Sequence, residues 1–212
     1  MRTLNGSDRW LALLLAGLAG YVDSLGFLHM GGVFVSFMSG NTTRMAVNLA
    51  EGRWDAAVGV AAILILFVMG AMIGALIAGR QGPRSRSRVL ALEAALLAGA
   101  AAAAGVGAAP MAIGLMVLAM AAENSVFLRD GEVGVSLTYM TGTLVKAGHA
   151  LAAALRGGES LAFRPYLALW AGLGGGAVLG ALVYNGVGLI ALWPAAGFAL
   201  MLSLATRISR VG

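Results

Sequence analysis

Four ionisable residues stand inside apolar or hydroxyl-rich stretches of this 212-residue sequence. Asp23 and Glu123 lie in apolar stretches, and Arg44 and Lys146 lie in two stretches rich in serine and threonine. A charged side chain at the centre of a bilayer costs about 2.5–3.5 kcal/mol even on insertion scales, so such residues are usually paired or line an ion or solute pathway. The four residues therefore define the first candidate site.

Each basic residue follows a short polar motif, SGNTT before Arg44 and TGT before Lys146. A glycine among small hydroxyl residues favours a break in a helix, and Asn41, Thr42 and Thr143 suit a helix start, where side-chain oxygens cap free backbone N–H groups. Helix N-termini that face the protein interior attract anions. A cation near such a start opposes the helix dipole, so we expect it to have an anionic neighbour or ligand.

Two interpretations of these charges stay open. In the structural one, Asp23 or Glu123 forms ion pairs with Arg44 or Lys146 and holds two halves of the protein together. In the functional one, the basic residues and helix ends bind a small anion near the membrane midplane while a carboxylate carries a proton. The predicted substrate-binding residues are Asp23, Ser39, Asn41, Thr42, Arg44, Glu123, Asn124, Thr141, Thr143 and Lys146. The same segments supply further lining residues, namely Ser24, Ser36, Ser125, Ser136, Thr138 and Tyr139.

The composition places these residues in a membrane. Hydrophobic residues make up 60% of the chain and charged residues 11%, with a mean hydropathy of +0.89, whereas soluble domains have roughly 45–50% apolar and about 25% charged residues. The absence of cysteine excludes disulfides and thiolate sites. Eight apolar segments can be drawn, at 9–28, 33–50, 56–79, 89–108, 111–128, 133–155, 163–184 and 189–206.

An internal repeat relates the two halves of the sequence. The matched blocks are 27–36 with 127–136, 37–44 with 139–146, and 70–77 with 176–183. Six of the ten positions in the first block are identical. We therefore predict a single membrane domain over 1–212, built from two repeats at about 9–108 and 111–206 that a short uncharged loop joins.

The distribution of basic residues predicts how many segments cross. If all eight crossed, the cluster at 80–88 would face the opposite side from the basic termini, against the positive-inside rule. If the segments 33–50 and 133–155 do not cross, nearly all arginines fall on the cytoplasmic side with both termini, and only Arg53 remains in an outer loop. Those arginines are Arg2, Arg9, Arg80, Arg84, Arg86, Arg88, Arg129, Arg156, Arg164, Arg207 and Arg210. We predict an all-α integral membrane protein with an inverted-repeat helical bundle, about six full spans plus two re-entrant or broken helices.

Other motifs receive simpler interpretations. The GAMIG and GAVLG sequences are small-xxx-small motifs, and we expect them to pack the third span against the seventh, with a homodimer seam as the alternative. Glu93 is expected to reach the interface or pair with Arg88. No phosphate-binding loop, hydrolase elbow or metal-ligand cluster is present in the sequence, so we expect no enzyme, no cofactor and no metal.

The stretch GYVDSLGFLHMGGVFVSFMSGNTTRMAV resembles the YoaK-type family of small bacterial inner-membrane proteins, a domain of unknown function. The pattern that carries the resemblance is Asp23, Gly26, Phe27, Phe34, Ser36 to Asn41, Thr42 and Arg44. The resemblance covers nearly the whole chain and implies a compact multi-pass protein of the bacterial inner (cytoplasmic) membrane. It implies no substrate or mechanism.

The repeat, the two broken segments and the paired charges favour a secondary transporter or facilitator of a small polar or anionic solute, with proton coupling through Asp23 or Glu123 as one option. A narrow channel of the same architecture and a non-transporting scaffold or partner subunit are the alternatives. The expected partners are the lipid bilayer, the solute and a proton, without nucleic acid.

Overall fold

The computed structural model describes residues 6–79, 84–129, 132–133, 138 and 140–208. Within these residues the chain forms eight α-helices, which are α1 (Gly6–His29), α2 (Met38–Ala50), α3 (Trp54–Ala78), α4 (Ser85–Gly105), α5 (Ala109–Glu123), α6 (Met140–Leu155), α7 (Arg164–Val187) and α8 (Leu192–Ile208). Short 3₁₀ turns, Asn124–Phe127 and Gly188–Ala191, follow α5 and α7. A two-residue antiparallel pairing joins β1 (Leu128–Arg129) to β2 (Glu132–Val133).

Five segments of the described chain are long and apolar enough to cross a membrane. Four of them contain α1, α3, α4 and α5, and the fifth, Arg164–Ile208, runs through α7 and α8. That last segment has 45 residues, about twice the roughly 20 residues of one crossing, and Gly188 at φ 62° ends α7 within it. The prediction of an all-α membrane protein is confirmed.

The two segments predicted not to cross contain α2 and α6, which are not among the candidate spans, whereas α5, of 15 residues, reaches 19 with the 3₁₀ turn that follows it. The helix α2 has 13 residues and α6 has 16 residues, which at 1.5 Å per residue gives about 20 and 24 Å. Both are shorter than the bilayer core of about 30 Å. An irregular stretch precedes α2, where residues 30–37 connect α1 to it.

The long helices pack in a crossed order. The helix α1 packs mainly on α7, α3 packs mainly on α5, and α4 packs along α8. The short helices pack within their own halves, α2 on α3 and α6 on α7. Contacts between α1 and α7, such as Gly17 with Gly176 and Tyr21 with Gly180, advance together along both helices, so these two helices are parallel. The helices α3 and α5 are also parallel, because Gly70 meets Leu118 and Gly74 meets Ala122.

These contacts correct the prediction for the two glycine motifs. Gly70 and Gly74 of GAMIG lie against α5, and Gly176 and Gly180 of GAVLG lie against α1. A Cβ atom at Gly176 would collide with the backbone of Gly17. Since the missing side chains let the two backbones approach each other, both motifs serve packing inside one chain, between the third helix of each half and the first helix of the other.

Polar contacts join α1, α4 and α8 at one end of the bundle. Arg86 near the start of α4 pairs with Asp8 at the start of α1, and Ser87 bonds to Ser203 near the end of α8 at 3.3 Å. The start of α4 therefore lies beside the start of α1 and the end of α8. Among the arginines used to predict orientation, Arg2, Arg80 and Arg210 lie outside the described residues.

Candidate functional site

The irregular stretch of residues 30–37 is held by three polar side chains of the predicted site, and we call it the first break. Asp23, near the end of α1, accepts hydrogen bonds from the backbone N–H groups of Val35 and Ser36, both at 2.8 Å. The Ser36 side chain also bonds to this carboxylate. A carboxylate that accepts two backbone N–H groups makes strong, charge-assisted bonds, so Asp23 fixes the chain where it turns back towards α2.

Asn41 holds the same stretch from the other side. Its side-chain oxygen accepts the N–H of Phe34 at 3.0 Å, and its amide nitrogen donates to the carbonyl of Phe34 at 2.7 Å. The Asn41 residue is fully buried. One side chain thus satisfies both backbone polar groups of a residue outside any helix or sheet, where a buried unpaired group would be costly.

Arg44 bonds to the turn that ends α1. Its guanidinium donates to the carbonyl of Gly31 at 2.9 Å and to that of Gly32 at 3.1 Å. Both glycines have positive φ, 63° and 98°, and a Cβ at Gly32 would lie 2.8 Å from the Arg44 guanidinium. A cation here lies near the negative end of the α1 dipole, so Arg44 is stabilised by backbone carbonyls. The predicted pairing of Asp23 with Arg44 is therefore wrong.

The predicted caps at the start of α2 are also wrong. The helix begins at Met38, its N-cap residue is Phe37, and no side chain caps it. Asn41 reaches back to Phe34, and the Thr42 hydroxyl donates to the carbonyl of Met38 within the helix at 2.9 Å. Ser39 is exposed in the first turn of α2. The hydroxyl-rich motif continues the helix, because threonine hydroxyls bond to the preceding turn.

The first break explains most of the sequence pattern that resembles the YoaK-type family. Within a bilayer, irregular backbone is tolerated only where protein groups or water satisfy its N–H and C=O groups. Asp23, Asn41 and Arg44 supply those partners. The rings of Phe27, Phe34 and Phe37 cover the same stretch, with neighbouring ring centroids 4.8 Å and 5.3 Å apart, and Val35 packs against Gly26.

The corresponding residues of the second half are arranged differently. Glu123, which matches Asp23 in the predicted repeat, is fully buried at the end of α5, and neither of its carboxyl oxygens has a hydrogen-bond partner in the part of the chain that the structure describes. Glu93 on α4 is also fully buried without a partner, and it lies close enough to Glu123 for the two carboxylates to repel each other when both are charged. The predicted pairing of Glu123 with Lys146 is therefore wrong, and so is the placement of Glu93 at the interface or beside Arg88.

The other predicted residues of the second half lie near this pair or on α6. The Asn124 amide nitrogen donates to the carbonyl of Met120 at 3.1 Å, and its side-chain oxygen accepts a hydrogen bond from the Thr138 hydroxyl at 3.3 Å. Thr141 and Lys146 are exposed on α6, and Thr143 is buried there. Two predicted lining residues, Ser136 and Tyr139, lie outside the described residues.

The structure does not join the ten predicted residues into one midplane site. In the described chain, α2 packs on α3 and α6 packs on α7 rather than on each other. Asp23, Asn41 and Arg44 converge on the first break, whereas Glu123 stands beside Glu93. The structure thus separates a group of side chains that holds backbone in the first half from a buried carboxyl pair formed by Glu93 of the first half and Glu123 of the second.

A groove beside the first break contains residues that sequence reasoning missed. It has a volume of about 690 Å³ and lies between α2, α3 and the start of α5. Arg44, Asn48 and Arg53 lie at its polar end. Asn48 follows Arg44 by four residues, a spacing that places both side chains on one face of a helix. That spacing is the sequence signal from which Asn48 could have been predicted as a neighbour of Arg44.

Eight helices, several of spanning length, arranged around buried polar groups define a multi-pass α-helical membrane protein. The family described as "Protein of unknown function (DUF1275)" matches residues 11–205, and the chain belongs to this family.

Two named relatives have similar sequences. The "UPF0700 transmembrane protein RA0705" of Rhizobium meliloti (strain 1021) is 36% identical over 195 residues, which cover 92% of this chain and 84% of the relative. The "UPF0700 transmembrane protein YoaK" of Bacillus subtilis (strain 168) is 30% identical over 141 residues, 63% of each chain. No solved structure matches. These relatives bear out the resemblance to the YoaK-type family.

Proposed function

We propose that this protein is a proton-coupled secondary transporter of a small polar or anionic solute. The observation that carries the proposal is the pair formed by Glu93 and Glu123, both fully buried and both without a hydrogen-bond partner among the described residues. Carboxyl groups without a cation or a donor beside them are stable in an apolar interior only while they hold protons. Such groups inside membrane proteins commonly form proton pathways.

A structural role accounts less well for this pair. Buried polar groups that stabilise a fold are normally hydrogen-bonded, as Asn41 is. Glu93 and Glu123 gain no such bond, so they reduce stability relative to apolar residues of similar size. Packing does not require this loss of stability. We expect such a loss where a buried carboxyl group exchanges protons during a conformational cycle.

The arrangement of the helices supports a carrier. The first helix of each half packs in parallel on the third helix of the other, as the contacts of Gly17 with Gly176 and Gly70 with Leu118 indicate. This packing is compatible with an inverted repeat. Secondary transporters built from inverted repeats alternate access by moving one group of helices against another, and their sites lie beside interrupted helices. The first break is an irregular stretch between α1 and the short helix α2, and we place the interrupted element of the first half there.

Proton movement in proteoliposomes tests the proposal. Vesicles that contain the protein and the pH-sensitive dye pyranine are given inward gradients of phosphate, lactate and succinate in turn, and protein-free vesicles measure leakage. We expect wild-type protein to acidify the lumen with at least one anion and to show counterflow. We expect Glu93→Gln and Glu123→Gln each to lower that rate at least about tenfold. Asp55→Asn removes an exposed carboxylate at the start of α3 and should leave the rate unchanged.

Two results would contradict the proposal. If the double variant Glu93→Gln with Glu123→Gln acidified the vesicles as fast as wild type, the carboxyl pair would have no part in coupling. Conductance without saturation or counterflow would indicate the channel alternative. Folding of every variant is checked by its elution from size-exclusion chromatography in detergent.

A further inference from the structure

We propose that the groove between α2, α3 and α5 binds an organic anion that carries a short apolar body. This inference rests on the proposed function and names the class of solute. The groove, of about 690 Å³, is lined by Arg44, Asn48 and Arg53 at one end. Apolar residues form the remaining wall, among them Val33, Val60, Ile63, Leu66 and Ile113.

The polar end of the groove offers hydrogen-bond donors. Arg53 donates to the side-chain oxygen of Asn48 from Nε at 3.1 Å and from one terminal nitrogen at 2.8 Å. These bonds leave the two N–H groups of its other terminal nitrogen available to a ligand. Arg44 uses two of its five N–H groups for Gly31 and Gly32. The guanidiniums of Arg44 and Arg53 and the amide of Asn48 all line the groove, and donors of this kind suit a carboxylate or phosphate.

Asn48 gives independent support. It is only 4% exposed, yet among the residues that the structure describes no acceptor bonds to its amide nitrogen. Because its oxygen accepts from Arg53 and the residue lines the groove, its amide nitrogen is the remaining donor that a ligand in the groove can use. An anionic group bound there would satisfy it.

The backbone adds positive potential. Ala56, in the first turn of α3, and Pro110, in the first turn of α5, both line the groove. Neither helix has a side-chain cap at its N-terminus. Each helix start carries about half a positive charge and free N–H groups. Glu51 pairs with Arg53 at 2.5 Å, but both side chains are more than half exposed, so solvent weakens their attraction.

The shape of the groove selects the rest of the ligand. Its volume falls within the roughly 300–1,000 Å³ of small-molecule sites and is larger than an inorganic ion needs. Most of the wall is aliphatic, so binding would bury an apolar chain next to the anionic group. A free organic acid or phosphate ester and an anionic lipid share this chemistry.

Thermal unfolding in phosphatidylcholine nanodiscs, with hexyl phosphate as the probe, tests the site. We expect hexyl phosphate to raise the unfolding temperature in a saturable way and hexanol to have little effect. Arg53→Gln and Asn48→Leu should each raise the concentration of half-maximal effect by about tenfold or more, because each removes a bond to a charged group. Arg207→Gln, which removes an exposed cation at the end of α8, is the matched control and should behave as wild type.

Adding phosphatidylglycerol to the nanodiscs separates the two sources of the ligand. If this lipid shifts the hexyl phosphate response to higher concentration in wild type but not in Arg53→Gln, an anionic lipid occupies the groove. If the response is unchanged, the occupant is a soluble anion.

The inference is overturned if Arg53→Gln and Asn48→Leu both respond as wild type, or if hexanol matches hexyl phosphate. Saturable binding without any transport of protons would contradict the proposed function and leave the groove assignment intact.

Discussion

Asp23 near the end of α1 accepts hydrogen bonds from two backbone N–H groups. Glu123, at the matching position of the predicted repeat at the end of α5, has no partner for either carboxyl oxygen among the described residues. Arg44 likewise bonds to two carbonyls, and the matching Lys146 is exposed on α6. The first half uses its polar residues to hold an irregular stretch of backbone. The second half leaves its carboxylate beside another one, Glu93.

This difference separates a structural use of polar side chains from the functional use that we propose for the carboxyl pair. The bonds of Asp23, Asn41 and Arg44 satisfy backbone groups of residues 31–36 that have no helical partner. The buried carboxyl groups of Glu93 and Glu123 make no hydrogen bond within the described chain that would explain them as structure. Asp23 and Glu123 occupy similar sequence contexts, yet one stabilises the fold and the other is expected to destabilise it. Measuring both stability and transport in matched variants distinguishes the two roles.

The largest contrast is expected between Asp23→Ala and Glu123→Leu. Removing the Asp23 carboxylate leaves two backbone N–H groups unpaired, each costing about 1–3 kcal/mol, so we expect the free energy of unfolding to fall by about 2–5 kcal/mol. Replacing Glu123 by an apolar residue should leave the free energy unchanged or raise it by about 1 kcal/mol or more. Thermal unfolding in detergent, followed by circular dichroism, measures both.

Asp23→Asn is the control for this contrast, because it keeps an acceptor oxygen in place. Its unfolding temperature should lie between those of wild type and Asp23→Ala. Equal losses in Asp23→Ala and Glu123→Leu would show that both carboxyl groups are structural, which would break the comparison.

A smaller contrast is expected between Asn41→Leu and Thr141→Val. Asn41 makes both hydrogen bonds of Phe34, so its loss should lower the free energy of unfolding by about 2–3 kcal/mol. Thr141 is exposed at the start of α6, and its replacement should change that free energy by less than about 0.5 kcal/mol. Unfolding of the two variants side by side checks this. An Asn41→Leu variant as stable as wild type would contradict the role given to Asn41.

The sequence predicted the all-α fold and the approximate positions of α2 and α6, because the hydropathy and length of each segment can be read directly from the residues. It did not predict the partners of Asp23 and Arg44. Charged side chains in a sequence suggest one another as partners, whereas the competing partners here are backbone groups of residues 31–36, which any sequence provides. Which backbone groups lack a helical partner becomes known only when the ends of α1 and α2 are known.

Glu93 was misplaced for a related reason. The apolar pattern predicts a span that begins at 89, but α4 begins at Ser85. Four further residues lengthen the helix by about 6 Å, so Glu93 lies about 12 Å from the helix start and not near it. The pair with Glu123 depends moreover on the packing of α4 on α5, which no spacing within one helix reveals.

The smallest contrast is expected between Arg44→Gln and Lys146→Gln. The two bonds of Arg44 reach carbonyls at an exposed turn, where water can replace the guanidinium, so we expect a loss of about 1 kcal/mol in global stability. The effect should be concentrated in the first break, and amide hydrogen exchange of residues 31–36 should quicken. Lys146→Gln should change neither quantity. Arg44→Lys keeps the charge but loses the bidentate geometry of the guanidinium, so partial protection of amides 31–36 from exchange in that variant would separate the contribution of charge from that of geometry. Full protection of the same amides in Arg44→Gln would show that Asp23 and Asn41 hold the first break without Arg44.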